Sequence, residues 1–375
     1  MQTEQYFLTP GAHWLPTLNG VDKNASLVLC FGPASLVTKN MSAIKKHFPK
    51  AIITGCTTAG EILDDQVRDN SLSLTSLAFA SAQVKAVQVV VADYVNSAMA
   101  GEALAQQLPG ESLRHVLVFS DGLQVNGTDL AKGLTDTLPK DVTVSGGLAA
   151  DGENFASTAT WLNDMPQEGR IVAVGLYGEK LLLSYSSFGG WDPFGPDRLV
   201  TKSDGNVLFE LDDRSALELY KEYLGDHAQH LPGSALLFPL SIRADQDDEE
   251  RVRTILAIDD DAGSMTFAGD IPQGSYVRLM RANFDRLIDG ASTAAQRATI
   301  GNTRGFALLI SCVGRKMVLK QRVEEEVEGV RQVLGEQIHM AGFYSYGELS
   351  PLITKVGCTL HNQTMTITSI GERES

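Results

Sequence analysis

One short frame, a glycine followed by four residues and then Gly-Glu, occurs three times in this chain. Its copies are Gly55–Glu61, Gly147–Glu153 and Gly342–Glu348. Each copy lies at the end of an apolar run, and a helical pattern and an earlier apolar run precede it. Self-similarity of this kind indicates a chain built from a repeated structural unit, so the fold has to accommodate three versions of one motif.

The repeated unit is predicted to be a strand, a helix and a second strand. In unit one, residues 26–32 form an apolar run, Val37, Met41 and Ile44 follow at helical spacing, and residues 51–54 lead into the frame. Units two and three have the same order. Their first strands are predicted at 115–119 and 306–310, their helices at 130–138 and 323–334, and their second strands at 142–145 and 338–341.

A strand-helix-strand connection favours parallel strands in one sheet with a right-handed crossover. The three frames are therefore expected to lie together at the carboxyl ends of their strands, the edge where open α/β sheets bind ligands. For any one glycine there is an alternative: it serves only a turn or close strand packing, and the glutamate of its frame lies in solvent.

The segments outside the units decide the fold class. Runs with strand alternation follow the first two frames, for example at 72–77 and 171–176, so the sheets are predicted to be mixed. The glycine- and proline-rich stretch Gly189–Pro196 is predicted to be a domain boundary. We predict an α/β protein of two domains with mixed sheets, built from repeated strand-helix-strand units plus antiparallel strands. Residues 1–190 hold two units, and residues 191–375 hold a hairpin and helix insertion followed by the third unit.

Composition narrows the class of partner. The chain has 375 residues, of which 43% are hydrophobic and 21% charged, and its formal net charge is −15. This charge argues against nucleic acid and against anionic membrane surfaces as partners. No apolar run has membrane-spanning length, and the first 26 residues lack the pattern of a secretion signal. A protein or a small molecule is the expected partner, and the cytoplasm is the expected location.

The four cysteines agree with a cytoplasmic location, because Cys30, Cys56, Cys312 and Cys358 are far apart and form no close pair of the kind zinc sites use. Cys56 lies inside a frame, which leaves a thiol enzyme as an alternative function, with His361 or His339 as base. Against catalysis, Leu148 and Phe343 take the place of Cys56 in the other frames, and we expect the protein not to be an enzyme.

Six motifs in order resemble the FIST family of sensory proteins, and the resemblance runs from about residue 26 to about residue 370. The motifs are Gly55–Glu61, Gly146–Asp151, Thr201–Val207, Ser311–Arg315, Gly342–Glu348 and His361–Thr364. The first motif has threonine where the family often has serine, which keeps the hydroxyl group.

The resemblance implies a signal-transduction input module, with an amino-terminal and a carboxy-terminal FIST module, that binds a small ligand. Amino acids have been proposed as ligands. Some similar stand-alone proteins are haem-binding nitric oxide sensors that regulate a partner histidine kinase or cyclic-di-nucleotide enzyme, and this chain is expected to be of that form.

Candidate site residues follow from these alternatives. Haem needs an axial ligand, for which His361 and His339 are the candidates, with Cys56 or Tyr344 as substitutes. For an amino acid, the acidic residues of the frames would hold the ammonium group, and Arg315 would bind the carboxylate bidentately unless it pairs with Glu348 at the sheet edge. The predicted ligand-binding residues are Gly55, Cys56, Thr57, Thr58, Gly147, Asp151, Arg315, Tyr344, Tyr346, Glu348 and Asn362.

Overall fold

The computed structural model describes residues 1–8, 24–231, 233–243, 250–301, 304–351 and 357–373. The α-helices are α1 (Ala34–His47), α2 (Ser97–Gln107), α3 (Gly127–Thr137), α4 (Ala216–Leu224), α5 (Phe284–Arg297), α6 (Val313–Leu319) and α7 (Val323–Leu334). None of the helices in these ranges has the length and apolar character needed to cross a membrane.

The strands fall into three groups along the chain. The first group is β1 (Gln2–Leu8), β2 (Leu27–Phe31), β3 (Ile52–Cys56), β4 (Glu61–Leu63), β5 (Gln66–Arg68), β6 (Leu72–Ala78) and β7 (Gln83–Val90). The second is β8 (Leu113–Ser120), β9 (Thr143–Leu148), β10 (Thr160–Leu162), β11 (Arg170–Tyr177) and β12 (Leu181–Phe188). The third is β13 (Asp192–Asp204), β14 (Val207–Leu211), β15 (Arg214–Ser215), β16 (Leu240–Arg243), β17 (Arg251–Arg253), β18 (Ile255–Asp259), β19 (Ser264–Phe267), β20 (Tyr276–Arg281), β21 (Gly305–Cys312), β22 (Ile338–Ser345), β23 (Gly347–Pro351), β24 (Cys358–His361) and β25 (Met365–Glu372).

Three mixed sheets carry the three repeat units, which confirms the predicted fold class. The parallel pairs are β2 with β3, β8 with β9, and β21 with β22. They are joined through α1, through α3, and through α6 and α7, and α1, α3 and α7 each bury an apolar stripe. Each first strand also pairs with an antiparallel strand, and these are β6, β11 and β25. One architecture is therefore repeated three times.

The three sheets exchange strands in a closed cycle. After the first frame the chain enters the sheet of unit three, where β4 pairs with β22. After the third frame it enters the sheet of unit two, where β23 pairs with β9, and after the second frame it enters the sheet of unit one, where β10 pairs with β3. Strands from both sides of residue 190 thus pair within the same sheets. The predicted domain boundary at Gly189–Pro196 therefore does not separate one set of sheets from another.

The strands from β13 to β20 form a separate eight-stranded sheet, and α4 lies in the same segment of the chain. This inserted sheet has its own core, in which Leu208, Tyr220, Met265 and Phe267 are buried. It enters between units two and three, at the position of the predicted hairpin and helix insertion.

Aromatic rings from all three units meet in the core between the sheets. The ring centroid of Phe31 lies 5.6 Å from that of Phe119 and 4.8 Å from that of Phe343. Phe119 and Phe343 lie 6.3 Å apart, so the three rings form one contact group. The rings of Phe31 on β2, Phe119 on β8 and Phe343 on β22 therefore pack the three units around a common centre.

Candidate functional site

The three frames come together, but the second copy is shifted by one residue from the sequence alignment. Gly55, Gly146 and Gly342 are the equivalent glycines, because a Cβ on each would lie 1.7, 1.9 and 1.6 Å from a carbonyl oxygen of the neighbouring strand. Only glycine allows so close a backbone approach. Gly147, predicted from the frame, instead packs against the side chains of Ile310 and Phe343.

Backbone hydrogen bonds join the frames in a ring. Ala59 N donates to Tyr344 O at 2.9 Å, and Ala150 N donates to Thr57 O at 3.0 Å. Tyr346 N donates to Leu148 O at 3.3 Å, which completes the cycle. Each frame thus donates to the next one, and the shared edge expected from the sequence is a rigid junction of all three units.

Two frame glutamates are buried in this junction, not solvated. Glu61 accepts hydrogen bonds from Thr58 Oγ1 at 2.6 Å and from Ser71 Oγ at 2.7 Å. Glu348 accepts equivalent bonds from Ser345 Oγ at 2.7 Å and from Thr364 Oγ1 at 2.9 Å. Burial raises the pKa of both carboxyls, that of Glu348 to about 8, although these hydrogen bonds oppose the shift.

Glu153 has no such position, because the second frame continues into a longer connection before β10. In the strand pairing, Glu61 lies opposite Phe343, and Glu348 lies opposite Gly147. The equivalent position of the remaining unit, opposite Cys56, is occupied by Thr160. Glu153 lies exposed in the intervening loop. The third glutamate of the repeat is therefore a sequence coincidence at a non-equivalent place.

A cavity of about 570 Å³ opens at the junction, and residues of all three units line it. We call it the junction pocket. Its walls are Thr58–Glu61 of unit one, Asp151–Asn154 of unit two, Val313, Lys316 and Met317 on α6 of unit three and Lys320 directly after it, together with Pro33, Asp69 and Asn70.

Charges of both signs face the junction pocket. Lys316 Nζ donates to Ala59 O at 2.7 Å and forms an ion pair with Asp69, while Lys320 is exposed. Burial disfavours the charged form of Asp151, but hydrogen bonds from Tyr346, Ser157 and Ala156 outweigh it and lower the pKa of the carboxyl. Asp151 is therefore ionised at neutral pH, and the pocket presents ammonium and carboxylate groups together.

The loop that carries Asp151 is held by Tyr346. The hydroxyl of Tyr346 donates to the carboxylate of Asp151 and accepts from the backbone N–H groups of Asp151 and Phe155, both at 3.3 Å. The rings of Phe155 and Tyr346 stack with centroids 4.5 Å apart. Tyr346 also lines a cavity of about 220 Å³ that reaches Phe267 of the inserted sheet.

Thr58 and Asp151 are the predicted ligand-binding residues that line the junction pocket. The remaining predicted residues do not line it, and Tyr346 lines the smaller cavity. Gly55, Cys56, Thr57, Gly147, Tyr344, Glu348 and Asn362 are buried. The sequence analysis missed Lys316 and Lys320, although the place of Lys316 on the helix that directly follows a first strand, and of Lys320 at the end of that helix, is a usable signal.

Arg315, predicted to bind a ligand carboxylate or to pair with Glu348, lies inside the protein and pairs with Glu326. The guanidinium is fully buried, and its Nε lies 2.7 Å from Oε1 of Glu326. Its other nitrogens donate to the carbonyls of Gly189, Leu287 and Gln363. Every side of the guanidinium is therefore engaged inside the protein.

The buried position of Cys56 does not support the predicted thiol chemistry. It lies in the core with Phe31 and Phe343, and burial raises the pKa of its thiol well above the usual value. A nucleophilic cysteine needs the thiolate and access to solvent. Neither condition holds for Cys56 in this structure.

The two predicted axial ligands lie in different surroundings. His339 is exposed, and its Nδ1 lies 3.3 Å from Oε1 of Gln5. His361 lines a cavity of about 260 Å³, and its Nε2 is buried with no hydrogen-bond partner among the described residues. Within the described ranges, no group of three or more His, Cys, Asp or Glu residues is arranged to hold a metal ion.

Comparisons with known proteins show which domain families and which proteins the chain is similar to. The model of the FIST N domain matches residues 26–214, and that of the FIST C domain matches residues 216–351. An uncharacterized protein of Methanocaldococcus jannaschii is 23% identical over 317 residues; the match covers 76% of this chain and 59% of that protein's length. The crystal structure of cyanuric acid hydrolase from A. caulinodans covers 99% of each chain at 9% identity, with a TM-score of 0.38, too low to support an argument.

Proposed function

The chain belongs to the FIST family, whose domains are signal-transduction sensor domains that bind small ligands, and on this premise we propose that its ligand binds in the junction pocket. The observation that carries the proposal is that all three repeat units contribute walls to one concave site. A ligand held there contacts each unit, so its binding can alter how the units sit against one another.

An amino acid is the proposed ligand class. Lys316 and Lys320 supply positive charge for a carboxylate, while Asp151 and Glu153 supply negative charge for an ammonium group. Since a zwitterion carries both groups within a few bonds, a site with both signs suits it better than it suits a simple anion or cation. The volume of about 570 Å³ lies inside the range of roughly 300–1,000 Å³ that is typical of small-molecule sites.

Tyr346 provides a route from this pocket to the rest of the protein. Its hydroxyl contacts Asp151 at the pocket, and its ring lines the cavity beside the inserted sheet. A ligand that draws Asp151 away from Tyr346 would change the packing of that cavity. A partner histidine kinase or cyclic-di-nucleotide enzyme would read this change, and the cytoplasm is the proposed location because the cysteines are unpaired thiols.

The test is a thermal-shift screen with the natural amino acids, followed by titration calorimetry of those that raise Tm. Analogues that lack the ammonium or the carboxylate group should bind at least about tenfold more weakly. Lys320→Met should weaken binding similarly, while Lys50→Met, at the opposite edge of the sheet of unit one, should leave it unchanged. If the ligand bound equally well to both variants, the junction pocket would not be its site. Recovery of the ligand chemically unchanged would separate a sensor from an enzyme.

Haem is the second candidate, and His361 is the residue that favours it. Burial and the charges of Arg253 and Arg251 lower the pKa of His361 to about 3, so its imidazole is neutral, as an axial ligand requires. When bound, haem would supply an iron that takes up nitric oxide. The cavity of about 260 Å³, however, falls below the range for drug-sized ligands, and a porphyrin does not fit it.

A visible spectrum decides this second candidate. Protein produced with a haem supply would show a Soret band if haem binds, and His361→Ala would abolish the band while His339→Ala would not. A folded protein that shows no Soret band, alone or after titration with haem, would remove haem and nitric oxide from consideration.

A further inference from the structure

The cavity beside His361 is lined by three arginines, and we call it the arginine cavity. It lies between the inserted sheet, helix α5 and the segment that joins β12 to β13. Arg251 comes from the inserted sheet, Arg286 and Arg297 come from α5, and His361 ends β24. Three positively charged side chains therefore line one cavity of a chain whose formal net charge is −15.

Two of these arginines have no carboxylate partner in the part of the chain that the structure describes. Arg286 pairs with Asp192, whereas no ion pair between described residues involves Arg251 or Arg297. The guanidinium of Arg297 lies 5.3 Å from the ring centroid of Phe188. The one acidic residue on the described cavity wall, Glu250, accepts a hydrogen bond from Ser241 Oγ at 2.5 Å. As far as the described residues go, the guanidinium groups of Arg251 and Arg297 have no carboxylate partner, and such groups bind anions.

His361 adds a hydrogen-bond acceptor to this positive wall. Nε2 has no partner among the described residues, and a neutral ring that carries its hydrogen on Nδ1 has a lone pair on Nε2. This buried lone pair belongs to a residue of the cavity wall and needs a donor, because buried polar atoms are normally hydrogen-bonded.

An anion that also carries a hydroxyl hydrogen satisfies both parts of the wall. We propose that the arginine cavity binds hydrogenphosphate, with its oxygens on Arg251 and Arg297 and its P–OH group donating to Nε2 of His361. Guanidinium groups match phosphate oxygens in bidentate geometry. The volume of about 260 Å³ requires a small ligand. Because the cavity lies where the inserted sheet meets the repeat units, an anion there would hold the two together.

A comparison of the affinities for phosphate and sulfate distinguishes this proposal from general anion binding, because sulfate at neutral pH has no hydroxyl hydrogen. At constant ionic strength, calorimetric titration should show phosphate binding at least about tenfold more tightly than sulfate. His361→Leu should bring the two anions to within about twofold of each other. Arg251→Gln and Arg297→Gln should each weaken phosphate about tenfold, and Arg281→Gln, an exposed arginine outside the cavity, should have no effect.

Equal binding of phosphate and sulfate to the wild-type protein would overturn the proposal, as would equal losses in Arg251→Gln and Arg281→Gln. A phosphomonoester such as glycerol phosphate, titrated in parallel, separates inorganic phosphate from a larger phosphorylated ligand. Unfolding curves without anion show whether each variant is folded, and ³¹P line broadening gives a second measure of binding. Amino-acid binding at the junction pocket is unaffected by either result.

Discussion

Glu61 accepts two hydrogen bonds from Ser71 across the junction of two sheets. Glu61 begins β4 in the sheet of unit three, while Ser71 directly precedes β6 in the sheet of unit one. The backbone N–H of Ser71 lies 3.0 Å from the carboxylate and its hydroxyl 2.7 Å. Glu348 and Thr364 repeat this contact between the sheets of units two and three. These carboxylates therefore hold exchanged strands in place.

Removal of either carboxylate should destabilise the protein. In Glu61→Ala and Glu348→Ala the buried N–H of Ser71 or Thr364 would lose its acceptor, which costs about 1–3 kcal/mol in each case. Urea unfolding measures the loss. Glu153→Ala is the matched control from the second frame, and its free energy of unfolding should stay within about 0.5 kcal/mol of wild type. Equal losses in all three variants would show that the sequence alignment of the frames, and not the shifted one, is right.

Stability should decline as pH rises through the titration range of Glu348. Burial raises its pKa from 4.5 to about 8, so between these values the folded protein keeps a proton that the unfolded chain releases. The contribution of this group is therefore complete below pH 4.5 and is lost as the pH approaches about 8. Glu348→Gln, which is neutral throughout, should flatten this part of the unfolding free-energy profile, and Glu153→Gln should not.

Removing one partner of the buried pair of Arg315 and Glu326 should lower the free energy of unfolding more than replacing both partners. Arg315→Met would leave Glu326 as a buried charge with only hydroxyl partners, Ser311 and Tyr344, and should cost about 3–5 kcal/mol. The double variant Arg315→Met/Glu326→Gln should lose less than Arg315→Met alone. A double-mutant cycle from denaturant unfolding tests this coupling, which an additive result would contradict.

The repeat units could be predicted from sequence because each is local. Apolar runs, helical stripes and terminating prolines such as Pro49 lie within a few dozen residues of each other, and their periodicity is set by strand and helix geometry. The strand exchange could not be predicted, since β4 is only three residues long and its partner β22 is far away in sequence. Pairing of so short a strand depends on tertiary contacts.

The candidate site was harder to predict than the fold, because sequence shows which groups are present but not which way they face. Thr58 and Arg315 are both polar and both lie in motifs that carry the family resemblance, yet one lines the junction pocket and the other is enclosed by Glu326 and backbone carbonyls. The shift of the second frame had the same origin. Gly146 and Gly147 are adjacent, and only the approach of Val118 identifies which of them is equivalent to Gly55.

Native thiols should resist modification. All four cysteines are buried and unpaired, and burial raises the pKa of the Cys358 thiol to about 12. A colourimetric thiol reagent should therefore react negligibly with the folded protein and with all four thiols in guanidinium chloride. Val95→Cys, at a position that is 88% exposed, is the positive control and should react at once. Rapid native labelling that disappears in Cys56→Ala would revive the thiol-enzyme alternative.

Removal of the Tyr346 hydroxyl should loosen the pocket loop without disturbing the ring stack. Tyr346→Phe keeps the contact with Phe155, but the N–H groups of Asp151 and Phe155 lose the oxygen that they share. We expect about 0.5–1.5 kcal/mol less stability, because that is the net contribution of a typical hydrogen bond. Hydrogen exchange read by mass spectrometry should show faster exchange in residues 151–157. Tyr185→Phe, which removes a hydroxyl on β12, should leave that exchange unchanged. Unaltered protection of the loop in Tyr346→Phe would mean that Phe155 packing alone positions Asp151, and the proposed route from the junction pocket to the inserted sheet would lose its first step.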